Sequence, residues 1–521
     1  MSIRRAAIFA ALFFVQTLFA LPAALAQDIT LRSRDGSIEL KGDLLGFDGE
    51  FYRIDTRFGR LTVDGSGVTC EGIGCPSLTD YVAEVQVSGS ATLGRVLVPA
   101  LIEAFAARSG FAAERLPEDR DHFTYALTDR RTAKLAGRFH FSVTNTDAGF
   151  AGLLADEADI VMALREIRPA EVQRAREAGL GDMTLSNRSS VLALDALVPI
   201  VAPGNPVDRL SLSDLVAILS GKKNNWSAFG GPDAPITLHA RAQSAGLSQS
   251  IEDSLLVPAR ATLGAATRHA SNTALAEAVT RDPFGIALAA FSDIGGAKPL
   301  PLTGPCGFQL RAARRTVKTE DYPLTAPAFL YIPARRLPAL ARDFLKFTRS
   351  PAAQIVIRRA GFVDQAPEEI SVDLQGDRFA NAVLSAEGTD GLFELQRMTR
   401  ALTPMRRLTT SFRFEVGSSR LDAQSRSNVL QLARALESGA YDGRELLFAG
   451  FSDGAGPADA NLRIAAKRAE AVRIAVELAA ETADLERTRM TSDAFGEAMP
   501  MACDDTSWGR EVNRRVEVWL R

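Results

Sequence analysis

From residue 81 onward the chain alternates short apolar runs with helical periodicity, and this alternation constrains its fold more than any other feature. Residues 82–87 read as a strand, 88–92 as a loop and 93–107 as a helix. Ile160-Val161-Met162-Ala163 and Leu197-Val198-Pro199-Ile200-Val201 are further apolar strands, while 212–219 and 338–347 carry helical spacing. Strands alternating with helices predict an α/β architecture, because the helices must cover the apolar faces of a sheet. Residues 367–409 are polar and weakly patterned before a helical stretch at 392–402, and read as a connector. Alternation then resumes, with strands at 411–416, 444–451, 488–495 and 513–520 and helices at 423–437 and 459–477.

A chain of 521 residues has room for several domains. Its apolar content of 46% and charged content of 24% exclude global disorder. With 60 Lys and Arg against 63 Asp and Glu, no basic surplus points to nucleic acid. The four His residues, His122, His140, His239 and His269, are too far apart for a local zinc spacing, so neither a metal nor a cofactor is expected. Residues 28–66 differ from the rest: period-two runs separated by Asp35-Gly36, Asp48-Gly49 and Phe58-Gly59 predict a small β module of hairpins.

The first residues carry an export signature. Arg4 and Arg5 precede an apolar run over 6–21, followed by Pro22 and Ala24-Leu25-Ala26, which predicts a secretory signal cleaved after Ala26. The run is short for a bilayer span, which needs roughly 20 residues. Residue 27 is Gln rather than Cys, so no lipid is expected at the new terminus. An oxidising destination makes Cys70 and Cys75, five apart around two glycines, a closable loop; chain entropy assigns such a bridge about 2 kcal/mol. Cys306 and Cys503 either pair across two domains or stay buried and reduced.

Three loops in the middle of the chain are suited to an anion. Ser88-Gly89-Ser90-Ala91-Thr92 stands between a strand and a helix, where hydroxyls, free N–H groups and the helix dipole favour negative charge. Asn145-Thr146-Asp147-Ala148-Gly149 again precedes a helix. In the third, residues 239–246, Arg241 offers a planar fork and Ser244 a hydroxyl. Across about 80–365 the order of segments resembles a periplasmic phosphate-binding protein of the type II solute-binding fold. The matching stretches are 88–94, 153–167, 194–201 with Pro206-Val207, 210–231 with its SGKKNNWSAFGG run, Asp282-Pro283-Phe284-Gly285-Ile286, and Asp321-Tyr322-Pro323-Leu324.

The resemblance implies two lobes on a hinge, binding without chemistry, and a small anion such as phosphate held by Ser88, Ser90, Thr92, Thr146, Arg241 and Ser244. The sequence also departs from that family. Ala245-Gly246-Leu247 stands where Ser-Gly-Thr follows the pocket arginine, Leu164 and Ala91 replace hydroxyl residues, and Asp147 occupies a usual glycine. Each missing partner of a buried oxyanion costs about 1–3 kcal/mol, so two or three lower affinity by roughly 10²-fold or more. Asp147 beside a dianion adds repulsion.

In the last segment, Asp453 follows a strand in the loop Ser452-Asp453-Gly454-Ala455-Gly456, and a helix carries Asn461 and Arg468. At 100° per residue, Leu462, Ala465, Ala469, Val472 and Val476 form an apolar stripe, with Asn461 and Arg468 together on one border. Read from spacing alone, an ion pair stapling loop to helix accounts for Asp453 and Arg468 as well as a pocket does. Residues 410–521 resemble the OmpA-like peptidoglycan-binding domain, through 412–421, Gly450-Phe451-Ser452-Asp453, Asn461, Lys467-Arg468-Ala469, Phe495-Gly496-Glu497 with Pro500, and Gly509-Arg510 with 513–517. That resemblance implies that Asp453 takes the ammonium and Arg468 the carboxylate of diaminopimelate, with Asn461 and Arg514 completing the polar shell. Gly417 and Ala465 depart from the usual Asn and Ser.

The fold expected is therefore multidomain, α/β and α+β: a signal peptide 1–26, a β module 27–79, a two-lobed type II periplasmic-binding domain 80–366, a connector 367–409, and an OmpA-like βαβαββ domain 410–521. The function expected is a non-enzymatic, wall-associated periplasmic protein with peptidoglycan and a small anion as ligands and an outer-membrane or transporter partner. The alternative is a structural linker whose solute domain has lost its ligand. Ser244 lies near His239, but no nucleophile-elbow spacing surrounds it, and proximity in sequence is not a triad.

Overall fold

The computed structural model describes residues 28–78, 80–185, 187–415, 418 and 420–521. The expected signal 1–26 and the Gly417 departure lie outside them. Contacts divide the chain into two compact units, Met1–Tyr81 and Val82–Arg521. Among the described residues no helix is long and apolar enough to cross a membrane.

The first unit is a five-stranded antiparallel sheet, in the order Gly59–Asp64, Phe51–Thr56, Glu39–Phe47, Asp28–Ser33, Val68–Glu71. Its core is Ile29, Leu31, Tyr52 and Ile54, the inward half of two of the period-two runs, with Leu40, Leu61 and Val63 of the others packed against it. At the Asp48-Gly49 turn the Asp48 carboxylate accepts from the N–H groups of Glu50 (2.9 Å) and Phe51 (2.6 Å), and Gly49 takes φ +94°. Cys70 and Cys75 form a disulfide.

The second unit begins with a two-lobed α/β body. In one lobe Ala83–Ser90 pairs in parallel with Leu135–Thr144 and Ile160–Ala163. In the other, Gly285–Ala290 and Thr237–Arg241 run in parallel. The strand Ser189–Val201 joins them: it pairs with Thr325–Tyr331 up to Ala196 and with Gly285–Ala290 from Leu197. It is buried from Val191 to Val201, which explains its nearly continuous apolar sequence. Each lobe has its own core, one around Val85, Leu101, Phe139 and Phe344, the other around Trp226, Leu275, Ile286 and Leu288.

The C-terminal portion is a five-stranded sheet in the order Glu369–Ile370, Arg406–Phe412, Arg515–Leu520, Glu445–Phe451, Arg489–Gly496. Helices Ala423–Glu437 and Ala458–Ala479 cover one face through Phe448, Ala469, Val472 and Val518. The stretch 367–409, expected as a connector, folds against the sheet. Glu369–Ile370 adds an edge strand, and helices Gly376–Ser385 and Gly388–Leu402 cover the opposite face through Met398, Leu402, Leu447, Phe451 and Trp519. Its apolar residues are too sparse to signal a core segment because they need to cover only one sheet face. A short helix, Ser507–Asn513, was not expected; Thr506 caps it by accepting from the Gly509 N–H (3.0 Å).

The C-terminal portion is locked to the two-lobed body. Cys306 and Cys503 form a disulfide, deciding between the two states that the sequence left open. Arg407 binds Asp321 through both guanidinium nitrogens (2.6 and 3.0 Å), and the pair is buried. Glu517, fully buried, receives Arg378 (2.5 Å), Arg515 (2.6 Å) and Arg407 (3.3 Å). Burial would raise the carboxyls of Asp321 and Glu517, but these guanidiniums hold both below the usual carboxylate range. Ala423, Met501, Ala502 and Val512 join the core of the second lobe.

Glu320, at this junction, is buried and its Oε1 has no hydrogen-bond partner among the described residues. Burial, reinforced by Asp422 and Asp321 and opposed by Arg413, pushes its carboxyl up to about 8 from an ordinary 4.5. Between those values the folded protein binds more protons than the unfolded chain, so the contribution of Glu320 to stability falls as pH rises through that window. Glu320→Gln removes this loss. The melting temperature of the variant is expected to exceed that of the wild type at pH 8.5 and to match it near pH 4.5, as measured by circular dichroism.

Candidate functional site

The cleft between the lobes is assembled from strand ends and helix starts. Ala83–Ser90 runs straight into a helix, so the expected loop 88–92 is shorter than its composition implied. The cause is Gly89, which takes φ +126° and lies so close to the neighbouring strand that a Cβ would fall 2.3 Å from the Met162 carbonyl oxygen. Ser90 is completely buried, and its hydroxyl has no hydrogen-bond partner among the described residues. Opposite it lies Gly246, whose Cβ position would be 3.5 Å from Ser90 Oγ and 3.6 Å from Leu164 Cδ1.

The other expected anion residues divide. Thr146 is buried and its hydroxyl accepts from the N–H of Leu164 (3.1 Å), whose side chain, like Ser90, faces Gly246. Arg241 ends the strand Thr237–Arg241, donating from Nε to Asn272 (2.8 Å) and from Nη1 to the His269 carbonyl (2.6 Å). Burial, with the charges of Arg95 and Arg120, pushes its guanidinium pKa down, and Asp293 acts the other way. Ser244 is exposed, and its carbonyl accepts from Asn145 Nδ2 (3.1 Å), a bond that spans the two lobes.

Ser88 is not brought to this cluster. Ser88 Oγ packs toward Gly152, well inside the helix Thr146–Leu154, and Thr92 sits in helical backbone without a side-chain capping bond. Asp147 is engaged elsewhere, by Arg165 (2.5 Å) and Arg168 (3.2 Å). Burial raises its carboxyl, but those two guanidiniums hold it below the usual range, so its charge is compensated without a ligand. His239 bonds His269 (2.9 Å) and Asp282 (3.0 Å) rather than Ser244.

The C-terminal site lies where Glu445–Phe451 turns into Ala458–Ala479. Gly450 lets the two elements touch: its Cβ position is 2.3 Å from the Ala465 carbonyl oxygen. Asp453 Oδ1 accepts from the Ala455 N–H (3.1 Å) and Oδ2 from Arg514 Nη1 (2.7 Å). An ion pair therefore does fasten this loop, but its cation is Arg514 and not Arg468. Asn461, buried, donates to Glu497 (3.2 Å), and the Gly454 N–H donates to Asp504 (2.7 Å). The apolar border geometry holds: Ala465, Ala469, Val472 and Val476 are buried, while Arg468 is half-buried.

Arg468 stands over the ring of Phe414, 5.0 Å from its centroid. Among the described residues it has no hydrogen bond and no carboxylate in ion-pair contact. Burial and the charge of Arg514 push its guanidinium pKa down, with Asp453 acting the other way. The site thus holds one uncompensated cation beside a paired carboxylate. Glu497, Asp504 and Phe414 belong to it and were not singled out; Glu497 stood inside the Phe495-Gly496-Glu497 motif, whereas nothing in the sequence pointed to Asp504.

The model for the PBP superfamily domain matches residues 79–352, just over half of the chain, and the chain belongs to that superfamily. The model for the OmpA family matches residues 413–514. Among curated relatives, Protein SphX of Synechococcus elongatus is 28% identical over 235 residues, covering 42% of this chain and 67% of that protein. Phosphate-binding protein PstS of Borreliella burgdorferi is 28% identical over 116 residues, covering 22% of this chain and 38% of that protein. A solved structure, the peptidoglycan-associated lipoprotein from Burkholderia pseudomallei, is 28% identical with a TM-score of 0.19, covering 22% of this chain and 90% of that one.

The two charges at the C-terminal site have different structural weight. Arg468→Ala removes no ion pair and is expected to change stability by less than about 1 kcal/mol. Asp453→Ala strands Arg514 and the Ala455 N–H and is expected to cost about 1–3 kcal/mol. Thermal unfolding of the full chain measures both.

Proposed function

We propose that this protein is a non-enzymatic binding protein of the bacterial envelope, which holds peptidoglycan at its C-terminal site and takes a small oxyanion in its cleft. The observation that carries the reading is the half-buried Arg468 guanidinium, which has no acid partner among the described residues and feels the charge of Asp453. A zwitterionic amino-acid end such as that of diaminopimelate supplies what is missing. Its carboxylate makes a charge-assisted bond to Arg468, and its ammonium meets the Asp453 carboxylate, which is shared with Arg514. Asn461, held by Glu497, stays aligned at the rim. The OmpA family match and the resemblance of this segment to peptidoglycan-binding domains support the assignment.

For the cleft, the unpartnered Ser90 hydroxyl, Thr146, Arg241 and the start of the helix at Gly246 form the donor set. The relatives matched there include proteins named for phosphate binding. Leu164 and Leu247 supply carbon where hydroxyls would pair an oxyanion, so phosphate is expected to bind more weakly than a fully paired site allows. The envelope location rests on the leader-like first residues and on these family memberships.

Co-sedimentation with isolated sacculi tests the wall site. Arg468→Ala is expected to lower the bound fraction at least tenfold, and undiminished sedimentation would sink the assignment. Calorimetric titration with inorganic phosphate and sulfate tests the cleft. Ser90→Ala is expected to weaken the bound oxyanion about tenfold, equivalent to about 1.4 kcal/mol. Absence of heat with either anion would reduce the protein to a wall-bound linker.

A further inference from the structure

A second concavity opens away from the cleft, where the two-lobed body meets the C-terminal portion. Its volume is about 930 Å³, within the range of roughly 300–1,000 Å³ typical of small-molecule sites. Its apolar lining includes Phe105, Phe111, Leu330, Ile332, Leu340 and Phe347. Phe111, Ile332, Leu340 and Phe347 are only partly buried, so apolar surface that could have been sealed is presented to the groove.

Charge at its edge is one-sided. Arg188, Arg342, Lys346, Arg349 and Arg434 line it against the single acid Asp343. Arg349 follows the helix Ala339–Thr348 of the body, and Arg434 lies in the last turn of Ala423–Glu437 in the C-terminal portion. Domain docking places these two guanidiniums on one groove, and burial together with the charge of Arg434 pushes the Arg349 pKa down. Neither has a carboxylate partner among the described residues. Both also line the adjoining cavity of about 360 Å³, together with Ser189 and Ser190 at the start of the strand that joins the lobes.

Two guanidiniums without carboxylate partners that line the same apolar groove suit an anion whose remainder is hydrocarbon. We propose that this groove binds a detached anionic amphiphile, a single acyl chain with a carboxylate or phosphate head, its chain on the Phe111–Leu340–Phe347 floor and its head between Arg349 and Arg434. A free chain fits better than a bilayer surface because the apolar residues line a concavity rather than a protruding face. Such a ligand touches both the body and the C-terminal portion and therefore strengthens their docking.

Calorimetry on the full chain with decanoate, decyl phosphate, decanol and inorganic phosphate tests the proposal. Decanoate and decyl phosphate are expected to bind, with decanol and inorganic phosphate at least tenfold weaker at this groove. Arg349→Gln/Arg434→Gln is expected to weaken decanoate at least tenfold with the melting temperature of the unliganded protein equal to or above that of the wild type, whereas Ser90→Ala leaves decanoate binding intact and so separates this groove from the cleft. The proposal is overturned if the wild type does not bind decanoate, if decanol binds as tightly, or if the double variant binds like the wild type. Sedimentation with phosphatidylglycerol vesicles without binding of decanoate also overturns it, in favour of a surface patch.

Discussion

The second unit depends on a buried cluster of charge, in which Arg407, Arg378 and Arg515 surround Asp321 and Glu517. Taking these groups out of water is costly, and they are tolerated only because each carboxylate meets guanidinium nitrogens at hydrogen-bond distance. Such a cluster has geometric requirements that an apolar contact lacks, so it specifies one docking orientation. Asp321 comes from the body, and the other four residues from the C-terminal portion and its flanking segment. The Cys306–Cys503 disulfide, joining residues 197 apart, closes the same junction covalently.

Rigid docking has consequences for function. In a protein with a tethered binding module, the wall-binding and solute-binding parts would move independently. Here the helix Ala423–Glu437 packs on the body, its Ala423 N–H donating to Glu166 (3.0 Å). The groove between Arg349 and Arg434 exists only because of that packing. A protein held to the wall through Arg468 would present its cleft in a defined orientation, which suits local retention or sensing of a solute better than shuttling.

The cleft shows how an inherited pocket is rebuilt. Asp147, at a position where a carboxylate would oppose an anion, is drawn to Arg165 and Arg168, so its charge is compensated within the protein. The burial of Ser90 Oγ without a partner leaves a donor that only a ligand or water can satisfy. Gly246 allows the helix start to approach Ser90 closely.

Local order was legible in the residues. Alternating patterns located the hairpins of the β module, the strand–helix succession of the body, and the helix that places Asn461 and Arg468 on one border of an apolar stripe. Motif order identified both domain families. Partnership was not legible. Nothing in spacing reveals that Asp453 takes Arg514, some sixty residues away, or that Ser88 turns beneath a helix while Ser90, two residues on, meets the opposite lobe. The segment 367–409 read as a connector because covering one sheet face requires few apolar residues, and its Met398 and Leu402 acquire a role only once Phe451 and Trp519 are placed against them. Periodicity is a property of the chain and is set by backbone geometry. Pairing of charges and closing of cavities depend on which distant surfaces meet, and that is decided when the cores pack.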